Sequence, residues 1–404
     1  MRGASWSEGK AFDAPPPLKH GLKPTGVVEL PLHVGGVPRW LLARMRRLAK
    51  AVLAIIVEEE GPRGALARLS DPLWFQAFSC VLGFDWNSSG STTVTCAVVK
   101  AALEGLNLGL RAAGGKGARA RRVPEDLEAV GMELGLSGGV VEELKKASRL
   151  TAKVDSAALQ DGYSLYHHCL LVAEGGCWAV VQQGMDPDTR TARRYHWLST
   201  GLKSFVEEPH AGIASDLVKQ VVLDLTARSS RGCREACVDI ACEPPSKVRG
   251  LLAEAKAKVK GPLDAWLAEA GAREASVKLL PLYRLAPDSL NWEVMRRSYE
   301  ARPRSFEELL LIRGVGPAAV RALALIADLV YGEPPSWRDP VRFSFAFGGK
   351  DGVPRPVDRQ LMDRVAKHLE EALASAEVER RERLKALARL RGMVAEVERP
   401  RQPL

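Results

Sequence analysis

From about Pro38 to Glu60 the apolar residues Leu41, Met45, Leu48, Val52 and Ile55 recur every three to four positions, which predicts an amphipathic helix. A short extended segment, "TGVVELPLHVGGVPRW", leads into it. Its other face carries Arg39, Arg44, Arg46, Arg47 and Lys50, a charged side for solvent or for phosphate. Ser70 and Gly83 then mark the start and stop of a second helix, and the polar, aromatic loop "GFDWNSSGSTT" follows. Such a loop can hold a substrate or only cap helices through its Ser and Thr side chains. Residues 114–122, "GGKGARARR", read as a flexible basic stretch, after which "VPEDLEAVGMELGLSGGVVEELKKAS" resumes helix.

The periodicity changes near residue 155. "DGYSLYHHCLLVAEGGCWAVVQQGM", from Asp161 to Met185, is rich in aromatic and branched residues, and Glu174, Gly175 and Gly176 supply a turn. This predicts a β-hairpin, with a further strand in "ARRYHWLS". Helical spacing returns beyond "FVEEPHAGIASDLVKQVVLDLT", and Leu361, Val365, Leu369 and Leu373 form the stripe of a long C-terminal helix. The whole predicts an α+β chain, predominantly helical, with a flexible arm (1–25), a helical N-terminal domain (26–155), a β-containing middle (156–225) and a helical C-terminal domain (226–404).

Composition narrows the functional classes. The 404 residues are 46% hydrophobic and 26% charged, ordinary globular material, with a formal net charge of +9 that favours a polyanionic partner. No run approaches the roughly 18 uncharged apolar residues of a spanning helix, and the first 25 residues lack the apolar core of a signal peptide, so a cytoplasmic protein with no membrane role is expected. Seven cysteines form no disulfide framework; Cys233, Cys237 and Cys242 have the spacing of buried thiols on one helical face.

"LLLIRGVGPAAVRALALIADLVYG", from Leu309 to Gly332, is the most specific motif. Gly314 and Gly316 around Val315 make a tight turn that can approach a sugar-phosphate chain, and Pro317 suits the first position of the helix that follows. With Ala318 beside it, that helix start offers free N–H groups to an anion. Ala318, Ala319, Ala322 and Ala324 leave room for close packing. The layout is that of a helix-hairpin-helix, which grips backbone and predicts sequence-independent, salt-sensitive DNA binding. A plain pair of helices with glycines for packing would share the pattern. A monovalent cation at the hairpin is a further expectation.

The segment "LIRGVGPAAV…YG…FSFAFGG…PVDR" resembles the signature of the endonuclease III-type DNA glycosylases. The resemblance implies a catalytic Asp at the head of a helix, and the matching position is Asp358. A helix N-cap is the plainer role for that residue. Two features depart from the superfamily. The segment around "EPPSWRDPVRFSFAF" separates Gly316 from Asp358, and Ala318 stands where lyase-competent members place a Schiff-base lysine, leaving Lys350 as the amine close by. Lys350 and Arg355 also extend the nucleic-acid-binding set. Over nearly its whole length, through "LGFDWNSSG", "YSLYHH", "WAVVQQGM" and "GGKDGVPRPVDR", the chain is similar to an uncharacterised archaeal and thermophile family, domain of unknown function 763. That family's pattern has His where this chain has Asn87 and Phe347, so neither position is given an essential His role.

A second constellation falls in the predicted sheet: Asp161, His167, His168, Gln182, Gln183, Arg193, Arg194, His196 and His210. Alternation sends His167 and His168 to opposite faces, and likewise Gln182 and Gln183. A nuclease would use Asp161 or Glu207 with a His to hold Mg or Mn, and Arg193 and Arg194 to hold phosphate. A polar sheet with ordinary histidines is the alternative. The expected function is therefore DNA binding in repair or processing, with a glycosylase using Asp358, a metal-dependent nuclease using the middle region, and a non-catalytic module serving a partner as alternatives.

Overall fold

The computed structural model describes residues 39–83, 90–104, 106–189, 191–215, 217–260 and 290–341, with short helical stretches between 367 and 390. Helix α1 (Arg39–Ser70) is two helices end to end, since Gly61 leaves helical geometry and Pro62 restarts it. Met45, Leu48 and Val52 are buried as the spacing predicts, while Arg44, Arg46 and Arg47 are exposed. Helix α2 (Pro72–Leu82) is capped by Asp71 rather than Ser70: one carboxylate oxygen accepts from the N–H of Leu73 at 2.8 Å and of Trp74 at 3.0 Å. It stops at Gly83, as expected. Of the polar loop, 84–89 lie outside the described residues, and the rest opens α3 (Gly90–Leu103).

Strands β1 (Leu110–Lys116), β3 (Ser164–Ala173), β4 (Trp178–Asp186), β5 (Thr191–Leu198) and β6 (Gly212–Ser215) form one antiparallel sheet in the order β1-β3-β4-β5-β6. The β3–β4 hairpin and the β5 strand are where the sequence places them. β1 corrects the expectation of a flexible 114–122. Gly114 pairs with Cys169, its φ is +89°, and a Cβ there would stand 2.3 Å from the His168 carbonyl oxygen, so only glycine lets the strands close. A 3₁₀ turn (Gly117–Arg122) follows, then α4 (Val123–Glu133) and α5 (Gly138–Lys153).

Both faces of the sheet are covered. Leu170, Val172, Val180, Tyr195, Trp197 and Ile213 pack into one core with α4 and α5. Cys169, Leu171, Ala179, Val181 and Ala214 pack into another with α1, α2 and α3. The strands therefore read as near-continuous apolar runs in place of alternation. A five-residue π turn (Val154–Ala158) leaves α5 and enters β2 (Leu159–Gln160), which pairs with β7 (Leu223–Asp224). The first core continues through α6 (Arg231–Ala241), α7 (Pro245–Lys260), α8 (Trp292–Ala301), α9 (Phe306–Leu311) and α10 (Pro317–Tyr331). Cys233 and Cys237 are buried on α6, Cys242 is half-buried at its end, and all three are free thiols.

Candidate functional site

The expected hairpin is a pair of helices, α9 and α10, joined at residues 312–316. Val315 is buried between them and, with Ala319 and Ala322, lets the helices approach. The two glycines differ. Gly314 has φ +97°, and a Cβ on it would meet Val294 Cγ2 of α8 at 2.7 Å, so the fold itself requires glycine there. Gly316 is extended (φ −146°, ψ −171°), and a Cβ on it would meet only the Gly314 carbonyl oxygen, at 3.9 Å. No side chain caps α10, while Pro317 and Ala318 are exposed.

Two cationic side chains and an amide hold the carbonyls of the turn. Arg297 Nη1 donates to the Arg313 carbonyl at 3.1 Å, the Lys153 ammonium donates to the Val315 carbonyl, and Gln160 Nε2 donates to the Pro317 carbonyl at 3.0 Å. Burial depresses the Lys153 pKa below the usual lysine value. An ammonium thus occupies a turn carbonyl that a monovalent cation would also seek. Lys350, Arg355 and Asp358 lie outside the described residues.

The second constellation is divided by the sheet. Its first face carries Asp161, His168, Gln182 and Arg193. Arg193 is completely buried: Nη1 donates to Asp161 at 2.9 Å and to Asp339 at 3.1 Å, Nη2 donates to Asp339 at 2.7 Å, and the guanidinium stacks on the Tyr163 ring. Burial alone would depress its pKa, but the charges of Asp161 and Asp339 outweigh that and hold it above the ordinary arginine value. Tyr195 completes the group through a 2.7 Å bond to Asp161.

Beside it Asp155, fully buried on the π turn, accepts from Gln182 Nε2 at 2.5 Å and Trp197 Nε1 at 2.9 Å, and pairs with His210 Nε2 at 2.5 Å. His168 joins the chain, with Nδ1 2.7 Å from Gln182 Oε1 and Nε2 2.9 Å from Ser148 Oγ. Burial holds the His168 pKa below the usual value. Sequence reasoning missed Asp155 and Asp339. The available signal for Asp155 was a lone carboxylate inside the apolar run "KVDSAAL".

The second face carries His167, Gln183, Arg194 and His196. Arg194 donates to His196 Nε2 at 2.8 Å, Gln76 Oε1 at 3.0 Å and the Pro72 carbonyl at 3.3 Å, and lies over the Phe75 ring. Gln183 donates to the Tyr166 hydroxyl. His167 is buried with no hydrogen-bond partner on either ring nitrogen, and burial lowers its pKa to about 3. Glu207, a possible metal ligand in the nuclease reading, instead receives Arg231 at 2.7 Å and Arg234 at 2.6 Å. Among the described residues no three His, Cys, Asp or Glu side chains converge as a metal site would need. No described helix is long and apolar enough to cross a membrane.

These features define an α+β protein with a sheet buried between two helical layers and an open-ended helical hairpin. The chain matches the model of the family described as Protein of unknown function (DUF763) over residues 26–357, and it belongs to that family. Neither the curated proteins nor the solved structures give a match.

Proposed function

We propose that this is a DNA-binding protein of repair or processing that grips backbone phosphates through the turn between α9 and α10. The observation that carries the reading is Gly316: the fold has room for a side chain there, yet the position is left bare beside the uncapped, exposed start of a 15-residue helix. A bare backbone at a helix N-terminus lets a phosphate reach the N–H groups of Ala318 and Ala319. Arg313 at the exposed turn, Arg297 behind it and a net charge of +9 add long-range attraction. By contrast Arg193 and Arg194, whose terminal nitrogens are bound within the protein, are buried away from any DNA backbone.

The grip is sequence-independent, so duplexes of unrelated sequence bind with similar affinity, and the affinity falls as salt rises, with a log–log slope of about −0.9 for each phosphate neutralised. Fluorescence anisotropy of labelled duplexes across a salt series measures both. A flat salt dependence, or one tight sequence among weak ones, counts against the proposal.

A further inference from the structure

A pocket of about 280 Å³ opens between β6, β7 and the segment that follows α10, lined by His210, Asp224, Ser229, Arg228, Arg338 and Glu208 among others. His210 sits at its inner wall, and a second hollow of about 320 Å³ shares His210, Glu208 and Arg228. The imidazole is held from behind. Nε2 is committed to the fully buried Asp155 at 2.5 Å, and the Trp197 ring packs edge-on with ring centres 4.6 Å apart. Nδ1 is the ring nitrogen that Asp155 does not engage.

The acidic groups of the wall are largely engaged by the protein. One Asp224 oxygen accepts the N–H and hydroxyl of Thr226, and Asp339 receives Arg193 and the N–H of Lys219. Glu208 faces Arg228 at 3.5 Å. Arg338 is exposed, and no acidic side chain among the described residues pairs with it. Glu208 itself has φ +44°, although a residue ahead of proline favours extended backbone, and its N–H is fixed to the Thr226 carbonyl at 2.8 Å. Strain of this kind persists where surrounding contacts over-determine the backbone.

We infer that this pocket binds a phosphomonoester, with Arg228 and Arg338 neutralising the phosphate and His210 meeting one of its oxygens. Nδ1 and that oxygen share a hydrogen bond, while Asp155 holds the ring through Nε2. The volume lies at the small end of ligand sites and suits one phosphorylated nucleotide, not a duplex. The π turn links this pocket to the hairpin, since Lys153 reaches the Val315 carbonyl and Asp155, two residues on, holds His210. A phosphorylated strand end is therefore the natural source. That source rests on the DNA-binding reading; the phosphate chemistry of the pocket does not.

The test measures binding of the full chain to single-stranded oligonucleotides bearing a 5′-phosphate, a 3′-phosphate or only hydroxyl ends, and separately to a nucleoside monophosphate by calorimetry. A terminal phosphate is expected to tighten binding about 10-fold or more, roughly the 1.4 kcal/mol of one added charged contact. Arg338→Ala, an exposed substitution, and His210→Gln should each remove that gain and leave the hydroxyl-ended strand unchanged. Gly316→Val should weaken every strand in proportion and keep the ratio, which separates failure of the pocket from failure of the hairpin. Nucleoside monophosphate binding that Arg338→Ala abolishes, without a gain from phosphorylated ends, supports the pocket and assigns it to a free nucleotide. Equal affinity for all strand ends together with no nucleoside monophosphate binding overturns the inference, as does a gain that survives Arg338→Ala.

Discussion

The sheet and the hairpin turn use their polar groups in opposite ways. Along β5, Arg193 and Arg194 are buried on opposite faces, with their terminal nitrogens taken up by carboxylates, an amide and carbonyls of the same chain, while Arg193 Nε has no partner. At the turn, carbonyls are held by Arg297, Lys153 and Gln160, while the helix start beyond Gly316 has no side-chain cap. The difference teaches that a cluster of chemically able residues is not itself a site. Buried charges paired with opposite charges inside the fold organise a core. A backbone that the fold leaves open is where an external partner can act.

Substitutions break this contrast in a definite order. Arg193→Ala strands Asp161 and Asp339 in the interior and should cost about 3–5 kcal/mol, measured by chemical denaturation. A native-like midpoint would show that the triad is not structural. Acidification acts next. His167 has a folded pKa of about 3 against an ordinary 6.5, so below pH 6.5 the unfolded chain binds a proton that the folded chain refuses. Stability is complete above pH 6.5 and falls towards pH 3, by up to about 1.4 kcal/mol per pH unit from this residue. Denaturation midpoints from pH 7 to 5 should flatten in His167→Gln, and an unchanged slope would remove this residue as the cause. Gly314→Ala forces a positive φ and a contact with Val294, and should cost about 1–3 kcal/mol. Gly316→Val should cost the least, about 1 kcal/mol at most, because its site is open and the loss is that of a favoured N-cap residue.

Much of this contrast was legible in the chain. The stripe of α1, the Glu174–Gly176 turn of the β-hairpin and the break at Gly332 follow from local periodicity and turn chemistry. Alternation alone separates His167 from His168. β1 was not legible, because "LRAAGGK" has small residues and glycines whose extended state comes from pairing with β3, a non-local cause. The burial of Arg193 was hidden for the same reason: Asp339 lies far along the sequence, and only the fold brings it to β5. The Asp155–His210 pair likewise joins the π turn to the loop before β6. The unequal needs of Gly314 and Gly316 were invisible to a motif in which both are simply glycine.

That inequality gives the most direct test of the DNA-binding claim. Gly316→Val and the unaltered chain are compared side by side for melting temperature and for affinity to one labelled duplex at fixed salt. The expected result is a melting temperature lowered by only a few degrees and an affinity lowered about 10-fold or more in the variant, because a side chain at residue 316 holds phosphate away from the N–H groups of Ala318 and Ala319. Equal affinity in a folded variant would contradict it and leave the turn as a packing element of the helical layer.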